Sequence, residues 1–471
     1  MLYYCLLSVP CGTISLMSNS INRAGNTLQL QRTIGLAGAS ALVVGGVIGA
    51  GIFVMVRDIG ALAGPAIWLS FVVAIAVSMI GVIPLIQLAG ALPTAGAGYM
   101  FASRMLTPYL GVMVSAWVLL GGACSVSVAT RTLAQYMQGY ILSGLPVGLM
   151  AAGILVLFYV IYAFGVRLAM SLQLILAVQF LSALLLYGIA GAFHSGLEMT
   201  LQPVQGGSGF LMSILLCYAI CMGFQIIAEM GEEINDARRT IPRALLIGGL
   251  IVTFVYILVG TVFVTTLPYD AARYATMKAP LRESATLFLP APFVHYIGLG
   301  ALAAGSAALN AAALTLPREI FALARDGILP RTLARIAPPS GAPRNAVTAY
   351  FVLVGVLLLC QFDTDVYGYM AATGVLAISS ALGLAAVRLS RRFPHYYAEA
   401  YIQFPRPVLV LCAAITMAAS LGFGLVVAFE RPGVLVAYAA WTLIVSAGYF
   451  LRIKTLDADA WRQITSFQDK K

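Results

Sequence analysis

Ten glycine-rich residues, GGVIGAGIFV at positions 45–54, constrain the fold of this chain more than any other stretch. They lie inside an apolar segment, residues 34–56, that can cross a bilayer, since a span needs about 20 helical residues. Four of the ten are glycine, and each glycine weakens a helix interior by roughly 1 kcal/mol relative to alanine. Opened backbone at membrane depth is tolerated only where it lines a cavity or is buried in protein. We therefore expect a helix that breaks at mid-membrane beside a binding site; close helix packing through Gly45 and Gly49 is the alternative.

The composition is that of a polytopic membrane protein. Of 471 residues, 61% are hydrophobic and 9% are charged, whereas soluble domains carry about 25% charged residues. The seven cysteines are scattered without a CxxC pair or a Cys/His cluster, so we expect no disulfide framework, no metal site and no cofactor. The first 16 residues are apolar and lack a basic start, which argues against a cleaved signal peptide and leaves Met1 and Met17 as alternative translation starts.

Apolar stretches between charged or Pro/Gly-rich segments predict about twelve spans. Their approximate centres are residues 45, 78, 121, 155, 180, 220, 255, 308, 354, 376, 417 and 442. With both termini in the cytoplasm, 21 Lys and Arg residues fall in inside loops and tails and 5 in outside loops. This asymmetry predicts cytoplasmic termini, and it explains the net charge of +10 without a nucleic-acid partner. No GxxxxGK(S/T) nucleotide motif occurs, which favours a gradient-driven transporter over a pump.

Span 6, within residues 214–245, shares a feature with span 1, because Gly223 lies at its centre. The two spans are five apart, and inverted five-helix repeats place a broken helix first in each half. Half-helix N-termini present free amides and partial positive charge, which suit a carboxylate. Unwound carbonyls suit an ammonium group, so a zwitterionic α-amino acid fits both ends.

Acidic residues near the inner end of span 6 are candidates for coupling or gating. Glu229 is the one acid at membrane depth in this span, and intramembrane acids are costly and therefore functional candidates. It could bind a proton, face a basic substrate or be a hydrogen-bonded packing residue. Glu232 and Glu233 follow, and we expect them to pair with Arg318 or Arg325 as a moving gate or a static staple.

Three segments of the chain resemble one family. GVIGAGIFV resembles the helix 1 signature of the amino acid–polyamine–organocation (APC) superfamily permeases, residues 223–245 resemble its helix 6 and following loop, and residues 309–330, ending in Arg-Asp-Gly-x-x-Pro, resemble its helix 8. The resemblance implies an all-α membrane protein of about 12 transmembrane helices. It further implies a LeuT-type five-plus-five inverted repeat with broken helices 1 and 6, and two extra C-terminal helices.

The resemblance also implies a domain organisation. A cytoplasmic N-terminal tail covers residues 1–30, a single transmembrane permease domain 31–455, and a cytoplasmic C-terminal tail 456–471. Within the domain, repeat one covers about 34–195, repeat two about 208–390 and the extra helices about 405–453.

Carried over to this sequence, the resemblance implies a substrate site at the two breaks. The amides of residues 49–51 would hold the substrate carboxylate, and the carbonyls of residues 47, 48, 219 and 222 would receive its amino group. The substrate-binding candidates are Val47, Ile48, Gly49, Ala50, Gly51, Tyr218, Ala219, Met222, Gly223 and Gln225.

Departures from the family pattern affect selectivity and coupling. Gln225 stands where many relatives have an acid, and Ala219 where they have an aromatic lid, for which Tyr218 can substitute; we expect a roomier pocket. Some proton-coupled relatives carry a helix 5 lysine that stands in for a sodium ion, whereas the matching residues 172–181 contain Gln179 and Phe180 but no lysine. Sodium, another proton site such as the span 6 acid, and exchange remain as coupling modes.

The sequence predicts a secondary active transporter, a symporter or an exchanger, that moves an amino acid across the plasma (cell inner) membrane by alternating access. Its partners are the amino acid, the lipid bilayer and a co-transported proton or sodium ion. The alternative is an amine or polyamine transporter of the same fold, followed by a channel and a non-transporting amino-acid sensor. An enzyme is not expected, because no acid–base or nucleophile constellation occurs at a plausible spacing.

Overall fold

The chain folds into a bundle of α-helices. The computed structural model describes residues 30–140, 144–163, 165–337, 341–455 and 464, and in these ranges it contains eighteen α-helices, three 3₁₀ turns and no β-strand. The helices are α1 (Leu36–Ile48), α2 (Gly51–Ala63), α3 (Ile67–Ala91), α4 (Ala97–Met105), α5 (Pro108–Tyr140), α6 (Val147–Ala163), α7 (Val166–Ser195), α8 (Gly206–Ile220), α9 (Ala237–Thr266), α10 (Ala271–Thr276), α11 (Pro280–Ala285), α12 (Ala291–Thr315), α13 (Pro317–Arg325), α14 (Arg344–Leu359), α15 (Thr364–Arg392), α16 (Pro394–Ala398), α17 (Arg406–Glu430) and α18 (Pro432–Ile453). The 3₁₀ turns are Gly64–Ala66, Phe224–Glu229 and Arg331–Ala334. The predicted all-α class is confirmed.

Nine stretches of the described chain are long and apolar enough to cross a membrane. They are Gly51–Ala91, Pro108–Gln138, Val166–Ser195, Gly206–Glu229, Ala237–Thr266, Ala291–Arg325, Val366–Arg392, Arg406–Glu430 and Pro432–Ile453. Shorter apolar helices occur at Leu36–Ile48, Val147–Tyr162 and Arg344–Leu359. Every predicted span centre falls in one of these stretches, and the chain is a multi-pass membrane protein; the count of twelve spans stays a prediction.

The first apolar segment is interrupted where its glycines cluster. α1 ends at Ile48, Gly49 has a φ of 44°, and α2 begins at Gly51. Backbone in this region is strained for residues with a Cβ, which explains the glycine. α1 is buried over most of its surface and packs against α7, α9 and α12. The interruption therefore lies inside the bundle.

A second interruption follows α8. This helix ends at Ile220, Gly223 has a φ of 127°, and the 3₁₀ turn Phe224–Glu229 comes next. A Cβ at Gly223 would lie 2.6 Å from the carbonyl oxygen of Gly46, so a side chain does not fit there. At Gly223 and Gly46 the two interruptions therefore meet backbone to backbone.

Neutral side chains anchor α1 to its neighbours. Gln173 of α7 donates from Nε2 to the carbonyl oxygen of Ala41 (3.2 Å), and its Oε1 accepts from Asn310 Nδ2 of α12 (2.7 Å). A Cβ at Gly45 would overlap Gln173 Nε2, so this glycine makes room for the amide. The α7 amide that contacts span 1 is therefore Gln173, whereas the sequence drew attention to Gln179.

Candidate functional site

A cavity of about 180 Å³ lies beside the first interruption. It is comparable with an engineered cavity of about 150 Å³ that binds benzene, so it has room for a small side chain. The start of α2, one face of α5 and the middle of α12 form its wall. The wall residues are Ala50, Gly51, Ser125, Val128, Ala129, Thr132, Leu133, Tyr136, Ala301, Leu302, Gly305 and Ala308. The wall that these described residues form is neutral, with hydroxyl groups only on α5.

The N-terminus of α2 lies at this wall. The first amides of a helix have no partner within it and carry partial positive charge, and α2 has no side-chain cap. A Cβ at Gly51 would lie 2.8 Å from Ile220 Cγ2, so the glycine lets α2 approach α8. Of the ten substrate-binding candidates, Ala50 and Gly51 are the two that line the cavity.

Tyr256 of α9 joins the two interruptions. Its hydroxyl lies within hydrogen-bonding distance of the carbonyl oxygens of Val47 (3.4 Å), Ile48 (3.3 Å) and Ile220 (3.1 Å). The structure thus brings two of the predicted acceptor carbonyls together with a third from α8. Sequence reasoning missed Tyr256, because one tyrosine in the apolar run of α9 has the pattern of a packing residue.

The span 6 candidates lie outside the cavity wall. Gln225 donates from Nε2 to Ser379 Oγ of α15 (2.6 Å), while its buried Oε1 has no hydrogen-bond partner in the described chain. Tyr218 and Met222 are half-buried, and Ala219 is exposed. The wall comes instead from α5 and α12, whose small residues carry no sequence pattern that separates them from ordinary helix packing.

Ion pairs join α13 to residues 230–236, and we call the end of the bundle formed by these two segments and α4 the basic end. Arg318 binds Glu233 at two points (Nε–Oε1 2.7 Å, Nη2–Oε2 3.0 Å), and the two side chains are only 1% and 2% exposed. Arg325 Nη1 contacts both carboxylate oxygens of Glu232 at 2.9 Å. The sequence named these four residues, and the structure assigns each glutamate to one arginine.

Two further carboxyl groups are buried beside these ion pairs. Glu229 ends the 3₁₀ turn and Glu319 lies in the first turn of α13, and they are 1% and 0% exposed. The amide of Gly98 donates to Glu229 Oε1 (3.3 Å), and the amide of Tyr99 donates to Glu319 Oε1 (3.2 Å) and Oε2 (3.1 Å). The amides of two adjacent residues thus hold the two carboxyl groups beside one another. Sequence reasoning singled out Glu229 but missed Glu319, which it took as part of a helix 8 motif.

Sequence comparison relates the chain to known transporters. Residues 34–451 match the family model described as amino acid permease. The chain is 24% identical, over 78% of its length and 82% of the relative's, to a branched-chain amino acid permease of Bacillus subtilis (strain 168). It is 23% identical to the methylthioribose transporter of the same organism, over 94% and 96% of the two lengths. Cationic amino acid transporter 4 of Mus musculus is 25% identical, over 73% of this chain and 56% of the relative.

Proposed function

We propose that this chain, which belongs to the amino acid permease family and transports amino acids, carries a neutral amino acid by alternating access. The neutral wall of the cavity beside the α2 N-terminus carries this proposal. A cationic side chain or a polyamine would bring a charge into this wall without an acid to pair with it, and burying an unpaired charge is costly. A neutral side chain of modest size meets no such cost.

The substrate's two charged ends have separate partners in this proposal. Its carboxylate binds at the amides of residues 49–51, where the α2 dipole favours negative charge. Its ammonium group binds the carbonyls of Val47 and Ile48, each of which has a second lone pair beyond the one that Tyr256 contacts. An amine without a carboxylate would leave the α2 amides unused, which disfavours the amine transporter.

The proposed topology is of the LeuT type, with repeat one at about residues 34–195, repeat two at about 208–390 and two extra helices at about 405–453. Interruptions at Gly49 and Gly223, five apolar helices apart, support it. The excess of Lys and Arg in the predicted inside loops and tails supports cytoplasmic termini in a plasma membrane. In this arrangement the ion pair between Arg318 and Glu233 is a gate that shuts the cytoplasmic side.

Uptake into proteoliposomes tests the substrate class. Labelled alanine, valine and leucine are compared with arginine and putrescine, under imposed proton or sodium gradients. We expect saturable, trans-stimulated uptake of the neutral amino acids and little uptake of the cations. Saturable putrescine uptake would favour the amine transporter, unsaturable flux a channel, and binding without flux a sensor.

A substitution at the cavity wall tests the site itself. A Cβ at Gly305 would lie 3.7 Å from Ala50 Cβ, an ordinary contact, so Gly305→Val adds volume to the cavity with little strain. We expect leucine uptake to fall while alanine uptake persists, because one lost methylene of room is worth about 10- to 200-fold in discrimination. Gly153→Val is the control, since Gly153 is exposed with no neighbouring atom within 4 Å of its Cβ position. An unchanged leucine-to-alanine ratio in Gly305→Val would remove the cavity from the substrate path.

A further inference from the structure

Glu229 and Glu319 are buried acids at the basic end that form no ion pair within the described chain. Three arginines at this end are engaged by other acids. These pairs are Arg318–Glu233, Arg325–Glu232 and Arg104–Asp326, the last at 2.6 Å. If both carboxyl groups were ionised, this end would bury two negative charges that no arginine neutralises.

The hydrogen-bond donors around Glu229 and Glu319 stabilise one negative charge. The amide of Tyr99 and the hydroxyl of Ser115 both donate to Glu319, and the amide of Gly98 donates to Glu229. The amides belong to the first turn of α4, whose dipole favours an anion. A Cβ at Gly98 would lie 2.6 Å from Glu319 Oε1, so the glycine allows this carboxylate to reach the helix end.

One carboxylate oxygen of the pair lacks a hydrogen-bond donor in the described part of the chain, and a bound proton would supply one. Glu229 Oε2 is buried and has no hydrogen-bond donor among the described residues. Buried polar atoms are nearly always hydrogen-bonded, so this atom needs an explanation. A proton on one of these neighbouring carboxyl groups makes that group a donor, and two adjacent buried carboxylates do not both ionise.

We propose that Glu229 and Glu319 form a proton-binding site that holds one shared proton while the basic end is closed. Opening of the basic end separates the 3₁₀ turn Phe224–Glu229 from α13 and admits water. The shared proton then passes to water, and both carboxylates become ionised. The charged and titratable groups on the elements that carry or adjoin the pair are the Tyr99 phenol and Arg104 on α4, Glu232 and Glu233 after the turn, and Arg318, Arg325 and Asp326 at α13. Every arginine in this set already has its acid, so the shared proton is the remaining neutralising charge.

Infrared difference spectroscopy of the purified protein between neutral and alkaline pH tests the site without any transport assay. The parent should show the carbonyl stretch of one protonated carboxyl group at neutral pH and lose it at alkaline pH. Glu229→Gln and Glu319→Gln should each abolish the band, because the remaining carboxylate loses its like charge and gains an amide donor. Glu430→Gln, at an exposed position, is the control and should keep the band. No band in the parent, or a band that persists in either single variant, would overturn the shared proton.

A second experiment examines the role of the site in transport, which rests on the proposed alternating access. Ser125→Cys on the cavity wall, in a background without other cysteines, is labelled with an impermeant maleimide from the side of the basic end. If closure binds one extra proton, the open-to-closed ratio should rise up to tenfold per pH unit in the parent and stay flat in the double variant Glu229→Gln/Glu319→Gln. A pH response that survives in the double variant rejects this role.

Loss of the infrared band on adding sodium chloride, but not choline chloride, at constant pH would assign the site to sodium instead. An intact band with no uptake of any amino acid would keep the proton site and reject the proposed substrate class.

Discussion

The ion pair between Glu233 and Arg318 gives the sharpest prediction, because its two side chains are almost fully buried and bound at two points. The perturbation is Glu233→Gln, which removes the charge and keeps the shape of the side chain. The backbone carbonyl of Glu233 still accepts from the amides of Thr33 (2.9 Å) and Ile34 (3.0 Å). The variant therefore changes the pair without removing the segment from its place.

Burial sets the size of the expected effect. Removing one partner of a buried pair costs about 3–5 kcal/mol, because the other charge is left uncompensated. A conformation open at the basic end lets water reach Arg318 and relieves most of this cost. The variant should therefore shift the open-to-closed ratio on the order of 10²- to 10³-fold toward the open conformation.

Labelling of Ser125→Cys from the basic side measures this shift. We expect Glu233→Gln to be labelled much faster from that side than the parent, and to bind extracellular substrate more weakly. Asp236→Asn is the control, because its pair with Arg239 is long (3.9 Å) and its side chain is 65% exposed. Equal labelling rates in Glu233→Gln and Asp236→Asn, in proteins of normal folding, would refute the gate and leave a static staple.

Three further predictions concern the interruptions and the selectivity of the site. Tyr256→Phe should lower the free energy of unfolding by about 1 kcal/mol and raise the KM for uptake, since the carbonyls that it joins lose their donor; thermal unfolding and uptake kinetics measure both. Thr132→Glu should let arginine compete with the neutral substrate, because it places a carboxylate in the neutral wall; a competition assay that shows no arginine effect would contradict this. Gly223→Ala should abolish uptake, because it combines a positive φ with a clash against the Gly46 carbonyl, whereas Gly196→Ala, with a φ of 74° and open space, should keep most activity.

The helices and their interruptions could be predicted because they depend on local composition. Apolar length determines a span, and a glycine cluster at positions 45–51 weakens the helix whatever surrounds it. The partners of Glu232 and Glu233 were also predictable, since buried acids need cations and α13 carries two arginines close in sequence.

The neighbours that single polar side chains reach could not be predicted from the sequence, because they depend on how the helices pack. Tyr256, Gln173 and Glu319 each lie within a helix whose neighbours are unknown from the sequence, so nothing local separates them from packing residues. Gln173 and Gln179 lie six residues apart on one helix, yet Gln173 donates a hydrogen bond to α1 whereas the buried amide of Gln179 has no hydrogen-bond partner in the described chain. The cavity wall was missed for the same reason, since small residues of α5 and α12 become a surface only when the helices are assembled.

The contact between Gly223 and the carbonyl of Gly46 has a consequence for how such a protein can change its cargo during evolution. At this contact the approach is between backbone atoms, so a residue larger than glycine at position 223 has no side-chain partner that a second substitution could adjust. Most wall residues, by contrast, lie on α5 and α12. Under the proposed function, the backbone contact and most of the wall that limits substrate size are therefore encoded at different positions, so a lineage can change its substrate by substitutions on α5 and α12 while this contact stays intact.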